Sequence, residues 1–187
     1  GACSGIRMTS GSFAVYTFDG SGGSADAALT QNDRLSITSG GAVTVAGSLS
    51  KGSGSFKIDH PLEAKKDTHH LVHSFVEGPQ ADLIYRGTAT LENGTASINL
   101  DTAAGMTEGT FVVLNREVQC FTTNETDWDA VKGSVSGNTL TITCQNSSST
   151  ATISWLVVGE RKDQHMLDTE WTDSQGKVIV EPLKEEE

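Results

Sequence analysis

Long apolar runs are missing from this chain. The longest, Phe111-Val112-Val113-Leu114 and Trp155-Leu156-Val157-Val158, fall far short of the roughly 20 residues that a membrane-spanning helix requires, so no membrane insertion is expected. A basic flank leading into an apolar centre, the mark of a secretory leader, is missing as well. The chain opens Gly1-Ala2-Cys3 without Met and reads as a fragment of a longer polypeptide or a processed product. Basic residues are scarce, 13 against 24 acids for a net charge of −11, and such a surface repels a phosphate backbone. Nucleic acid is therefore excluded as a partner. The three Cys are too few and too scattered for a disulfide framework or a CxxC metal site. Cys120 shares parity with Val118, and Cys144 with Leu140 and Ile142, so both read as small apolar residues on buried strand faces, a Cys120–Cys144 bridge being the alternative.

Catalytic signatures are also wanting. There is no Gly-x-Ser-x-Gly elbow, and the Ser48-x-x-Lys51 pair lies in Gly/Ser-rich sequence without the companion motifs that would make it a nucleophile. Two carboxylates suffice for glycoside hydrolysis, but a polysaccharide depolymerase of the long, grooved β-helix kind has no room in 187 residues. No enzyme activity and no cofactor are expected.

What the chain does contain is the punctuation of an all-β protein. Residues 1–55 hold 11 of the 20 Gly, six charged residues, and no Pro, Trp or His. Apolar residues arrive there in short patches, Phe13–Phe18, Leu35–Ile37, Ala42–Ala46 and Leu49, each long enough for one strand. Val43, Val45 and Leu49 recur at period two, which a disordered linker would not require. Because so little apolar surface cannot offset the ordering entropy of a single chain, this segment is expected to intertwine with copies of itself.

From Phe56 onward the pattern is that of an antiparallel sandwich or barrel. Asn93-Gly94 between Leu83–Leu91 and Thr95–Leu100 predicts a hairpin, and Ser136-Gly137-Asn138 predicts a second between Ala130–Val135 and Thr139–Cys144. Further strands are expected at Thr68–Glu77, Thr110–Thr122, Thr150–Glu160 and Lys177–Glu181, with a minor helical turn at Lys162–Leu167. The domain boundaries expected are 1–55 and 56–187.

Three places carry candidate chemistry. His69, His70 and His73 cluster near His60, but in a strand His69 and His73 stand roughly 13 Å apart, too far to share one metal. Asn124, Asp127 and Asp129 surround Trp128 with oxygen ligands that a Ca²⁺ could use, although EF-hand order and its closing Glu are missing; a solvated acidic loop is the simpler reading. Trp128 and Trp171 sit among the acids Asp127, Asp129, Glu170 and Asp173, the chemistry of a sugar platform: the indole stacks on C–H faces while carboxylates accept hydroxyl hydrogen bonds. Each Trp could instead plug a domain edge or a subunit interface. Trp155, in the apolar run Ile153–Val158, reads as core. Asn-x-Ser/Thr sequons occur at Asn93, Asn124 and Asn146, the first already serving a turn.

The runs Gly52-Ser-Gly-Ser-Phe-Lys-Ile-Asp-His-Pro-Leu62 and His70-Leu-Val-His-Ser-Phe-Val-Glu-Gly-Pro-Gln-Ala-Asp-Leu-Ile-Tyr-Arg-Gly87 carry a resemblance. Gly105–Phe111, Ser154–Arg161 and Trp171–Pro182 continue it in order. Together they resemble the C-terminal domain of bacteriophage tail-fibre and virion appendage proteins, from about Lys51 to the end, with residues 1–50 similar to the repetitive shaft that precedes such domains. The resemblance implies a homotrimer on the virion that engages a host surface glycan or protein and joins other virion tail proteins through sequence N-terminal to this chain. It also leaves room for His69 or His73 to meet its symmetry mates around a metal on a trimer axis. A purely architectural part, a capsid decoration or fibre-tip assembly module, is the alternative.

Overall fold

The computed structural model describes residues 4–9, 11–19, 30–49, 54–74, 76 and 78–183. Lys51, Gly52 and Glu77, all used above, lie outside the described residues. The molecule is mostly β, with several antiparallel sheets. It divides into two compact units, Gly1–Phe75 and Val76–Glu187.

The first unit contains a four-stranded antiparallel sheet in the order of the chain: β1 (Ser4–Thr9), β2 (Ser12–Asp19), β3 (Thr30–Ile37) and β4 (Val43–Val45). β1 was not foreseen from sequence, since Ile6 and Met8 are separated by Arg7 in a short polar stretch. The strands pair with one another inside a single chain. Their register aligns Ile6, Val15, Leu35 and Val45 in one cross-strand row and Met8, Phe13, Ile37 and Val43 in the next. Side chains two apart on a strand share a face, so these eight apolar residues form one continuous surface. Among the described residues of this unit Ala14 alone is buried, and Ile6 and Met8 are 66% and 80% exposed. A second, two-stranded sheet pairs β5 (Ser55–Asp59) with β6 (His70–Ser74) around a single 3₁₀ turn at Glu63–Lys65.

The second unit has a real core. β7 (Asp82–Thr90), β12 (Thr152–Arg161) and β9 (Asn115–Asn124) make one antiparallel sheet with β12 central. β10 (Val131–Ser136), β11 (Thr139–Cys144) and β8 (Thr95–Asn99) make the other, with β11 central. Both central strands send alternate residues inward: Leu140, Ile142 and Cys144 from β11 join Ile153, Trp155 and Val157 from β12, together with Leu91, Leu100 and Phe111. Cys120 packs against this cluster, and both thiols are free, as the parity argument required.

Turn chemistry explains the connections. Asn93 and Gly94 both have positive φ, 50° and 72°, and Glu92 and Thr95 exchange backbone hydrogen bonds around them, as a two-residue primed turn demands. The expected hairpin ends there, however. Its arms enter different sheets, because Leu91 N–H turns to the carbonyl of Ala151 rather than continuing the pairing with β8. The second hairpin holds over its full length, Val131↔Cys144 to Ser136↔Thr139, with Gly137 at φ 59° opening the turn.

Two expected strands are corrected. Residues 110–114, assigned above to a strand beginning at Thr110, form α2 (Thr110–Leu114), and β9 begins only at Asn115. The cause is remote in sequence: the buried Asp101 carboxylate, on α1 (Leu100–Ala103), accepts hydrogen bonds from the amides of Gly109 and Phe111 at 2.8 and 2.6 Å and from Asn138 Nδ2 at 2.7 Å. These bonds satisfy the free amides of a helix start and draw the segment into a turn. Lys177–Glu181 is not a strand but makes one bridge, Thr172↔Val178. The turn at Lys162–Leu167, expected to be minor, is α3 (Gln164–Asp168), capped by Asp163, and it places Met166 fully in the interior.

Candidate ligand-binding surface

Trp128 projects from the loop between β9 and β10 and is fully exposed. The loop beneath it is held by its own polar residues. Asn124 Oδ1 accepts from the amides of Thr126 and Asp127, and its Nδ2 donates to Asp127 Oδ1 at 2.6 Å and to the Asp129 carbonyl at 3.2 Å. Asp127 Oδ1 also accepts from the Asp129 amide, and Asp129 Oδ2 accepts from Asn146 Nδ2. Most are Asx-turn bonds, and amide donors thereby engage one side-chain oxygen of each residue offered above to Ca²⁺: Asn124 Oδ1, Asp127 Oδ1 and Asp129 Oδ2. Among the described residues no group of three or more His, Cys, Asp or Glu is arranged to hold a metal. Sequons Asn124 and Asn146 likewise spend their side-chain amides inside this network.

Trp171 lies elsewhere, at the edge of the C-terminal segment, and is 37% exposed. Glu170 beside it is exposed. Asp173 Oδ1 accepts from the amides of Gln175 and Lys177 and closes a turn; these bonds, the Lys177 amide first, hold its carboxyl below the ordinary value. The segment is tied down by Arg116, whose guanidinium donates to the carbonyls of Gln175 and Gly176 while pairing in a fork with Glu160 at 3.0 and 3.1 Å. Glu160 is 3% exposed and also meets Lys177 Nζ at 3.2 Å. Burial alone would push this carboxyl up, but Arg116 and Lys177 outweigh it and hold it below the usual range. A bulge at this point, where Glu117 takes φ 50° and Gly159 lets Asn115 approach β12, turns Glu117 toward Lys177 at 2.6 Å. Arg116 stands near one end of β9 and the Trp128 loop leaves the other, eight residues or roughly 26 Å along the strand.

Of the histidines, His70 and His73 lie on β6, while His69 precedes it and bonds through Nδ1 to Thr68 Oγ1 at 2.7 Å. His70 faces Asp59, its partner in the β5–β6 register, at 3.5 Å.

Sequence reasoning missed a further surface, the outer face of the β7–β12–β9 sheet. A groove of about 600 Å³ runs across it. Its floor is a cross-strand row, Arg86–Leu156–Phe121, followed by a row of hydroxyls, Thr88–Ser154–Thr123. Phe121 is 54% exposed in mid-strand. On the inner side of the same strands Gly87 leaves room for the core-facing Trp155 ring, where a Cβ would fall 2.6 Å from Cζ2. Toward the Trp128 loop, Ser154 Oγ donates to the Glu125 carboxylate. The signal was present in the parity that turns Cys120 toward the core, which sends its neighbour Phe121 to the opposite face.

Comparison of the chain with protein-family models and with curated proteins gave no match.

Proposed function

We propose that this chain is part of a non-enzymatic virion appendage, a trimeric tail-fibre protein that attaches to a host cell-surface ligand, favoured to be a glycan. The observation that carries the reading is the contrast between the two units. The second buries a complete core within one chain, whereas the first spreads eight aligned apolar residues over one sheet face, fully buries none of them and leaves Ile6, Met8, Val43 and Val45 exposed. A face of that kind invites burial against copies of itself. Three copies turning these faces together would give the intertwined, shaft-like segment that the resemblance implies, joined to other virion tail proteins upstream. Each C-terminal unit then contributes a weak binding surface, and avidity across three replaces single-site affinity. Trp128, fully exposed on a loop stiffened by Asx bonds, is a preorganised contact for such a ligand.

Competition tests the reading. The purified chain should block adsorption of the parent virion to its host, and Trp128→Ala should weaken that block without lowering the melting temperature. No competition at any concentration would favour a capsid decoration or fibre-tip assembly module instead.

A further inference from the structure

We infer that the groove on the outer face of the β7–β12–β9 sheet is a binding site for an acidic oligosaccharide, one whose rings carry carboxylates. The inference rests on the adhesive reading above and names the ligand class and the residues that read it. Register fixes the arrangement: Arg86 and Phe121 flank Leu156 on neighbouring strands, about 10 Å apart between backbones. Phe121 offers an aromatic face for the C–H side of a sugar ring, and Leu156 continues the apolar floor between the two. One row along, the hydroxyls of Thr88 and Thr123 can donate to or accept from ring hydroxyls, and Ser154, whose proton goes to Glu125, can accept from one.

Charge selects among saccharides. The protein carries a net charge of −11, yet among the described residues Arg86 makes no ion pair or hydrogen bond, leaving a guanidinium fork open at the groove. That fork matches a carboxylate in a bidentate pair better than it matches any neutral hydroxyl. Glu125, bonded to Ser154 at the Trp128 end, makes that end a hydroxyl acceptor, so the ligand's acid belongs at the Arg86 end.

The probe is an array of hexuronate-containing oligosaccharides with neutral oligosaccharides of equal length, applied to the full chain and to Arg86→Gln, Arg86→Lys and Phe121→Ala. These side chains are exposed and make no core contact, so equal melting temperatures are expected for all four proteins. Retention should be confined to the acidic members, fall at least tenfold in Arg86→Gln and Phe121→Ala, and fall less in Arg86→Lys. Retention of neutral members equally well, no retention at all, or acidic retention unchanged in Arg86→Gln would overturn the inference. So would a change of oligomeric mass in Phe121→Ala, which would mean that copies of the chain cover this face. Attachment of the labelled chain to host cells, measured in parallel, separates the two readings: attachment undiminished in Arg86→Gln removes the groove and leaves adhesion standing, while array binding without cell attachment does the reverse.

Discussion

Glu160 is the residue on which the C-terminal segment of the second unit depends. Its carboxylate is nearly inaccessible and balances both Arg116 and Lys177, which in turn hold Gln175, Gly176 and Glu117. Removing one member of a buried pair leaves the other charge uncompensated, so Glu160→Gln should cost about 3 kcal/mol in chemical denaturation. Asp101 acts similarly at the start of α2: burial pushes its carboxyl up, but the bonds from Asn138, Phe111 and Gly109 prevail and hold it below its ordinary 3.8. A carboxyl whose folded pKa is lowered stabilises the fold fully above its unfolded pKa, and that contribution is lost as pH falls through the folded value. With ordinary values of 3.8 for Asp101 and 4.5 for Glu160, the second unit should melt at constant temperature from neutral pH down to about 5, then at falling temperature below about 4. A Glu160→Gln protein should show a shallower acid slope. An identical slope would show that the pair contributes nothing.

At the scale of elements, the turns were the most legible part of the fold. Asn93-Gly94 and Gly137-Asn138 announced themselves because positive φ restricts the residue types allowed. The two glycines differ in surroundings, and that gives a paired prediction. A Cβ on Gly94 would fall 2.6 Å from the Asn146 carbonyl oxygen, whereas one on Gly137 meets nothing within 4 Å. Gly94→Ala should therefore cost more than about 2 kcal/mol, from left-handed strain plus crowding, and Gly137→Ala only about 1, as read by thermal denaturation. Core strands β11 and β12 and the inward parity of Cys144 and Trp155 were readable from alternation. What sequence did not disclose depends on partners distant along the chain. Phe111-Val112-Val113-Leu114 has the composition of a strand, and only Asp101 and Asn138, 10 and 27 residues away from Phe111, make it helical. The bonds that backbone amides and Asn146 make to Asp127, Asp129 and Asp173 are likewise not visible in the sequence. The Phe121 groove went unread because a sheet's outer face is assembled from three strands that are far apart in sequence.

For the whole molecule, the question is what covers the first unit. Val43, Val45, Ile6 and Met8 lie 59%, 40%, 66% and 80% exposed on one chain, and burying such a side chain fully is worth roughly 1.5–3 kcal/mol. Against the small net stability of a domain this is decisive, so the sheet should gain its order from assembly. A charge placed within the apolar rows should undo that: Val45→Asp should dissociate the assembly while the second unit, with its own core, keeps its melting transition. The most direct measurement is the mass of the native chain by sedimentation equilibrium. Three times the 19.7 kDa of one chain, falling to a single chain's mass in Val45→Asp, is the result expected of a trimer closed through this face. A wild-type protein that sediments as a monomer with the first unit intact would contradict the account.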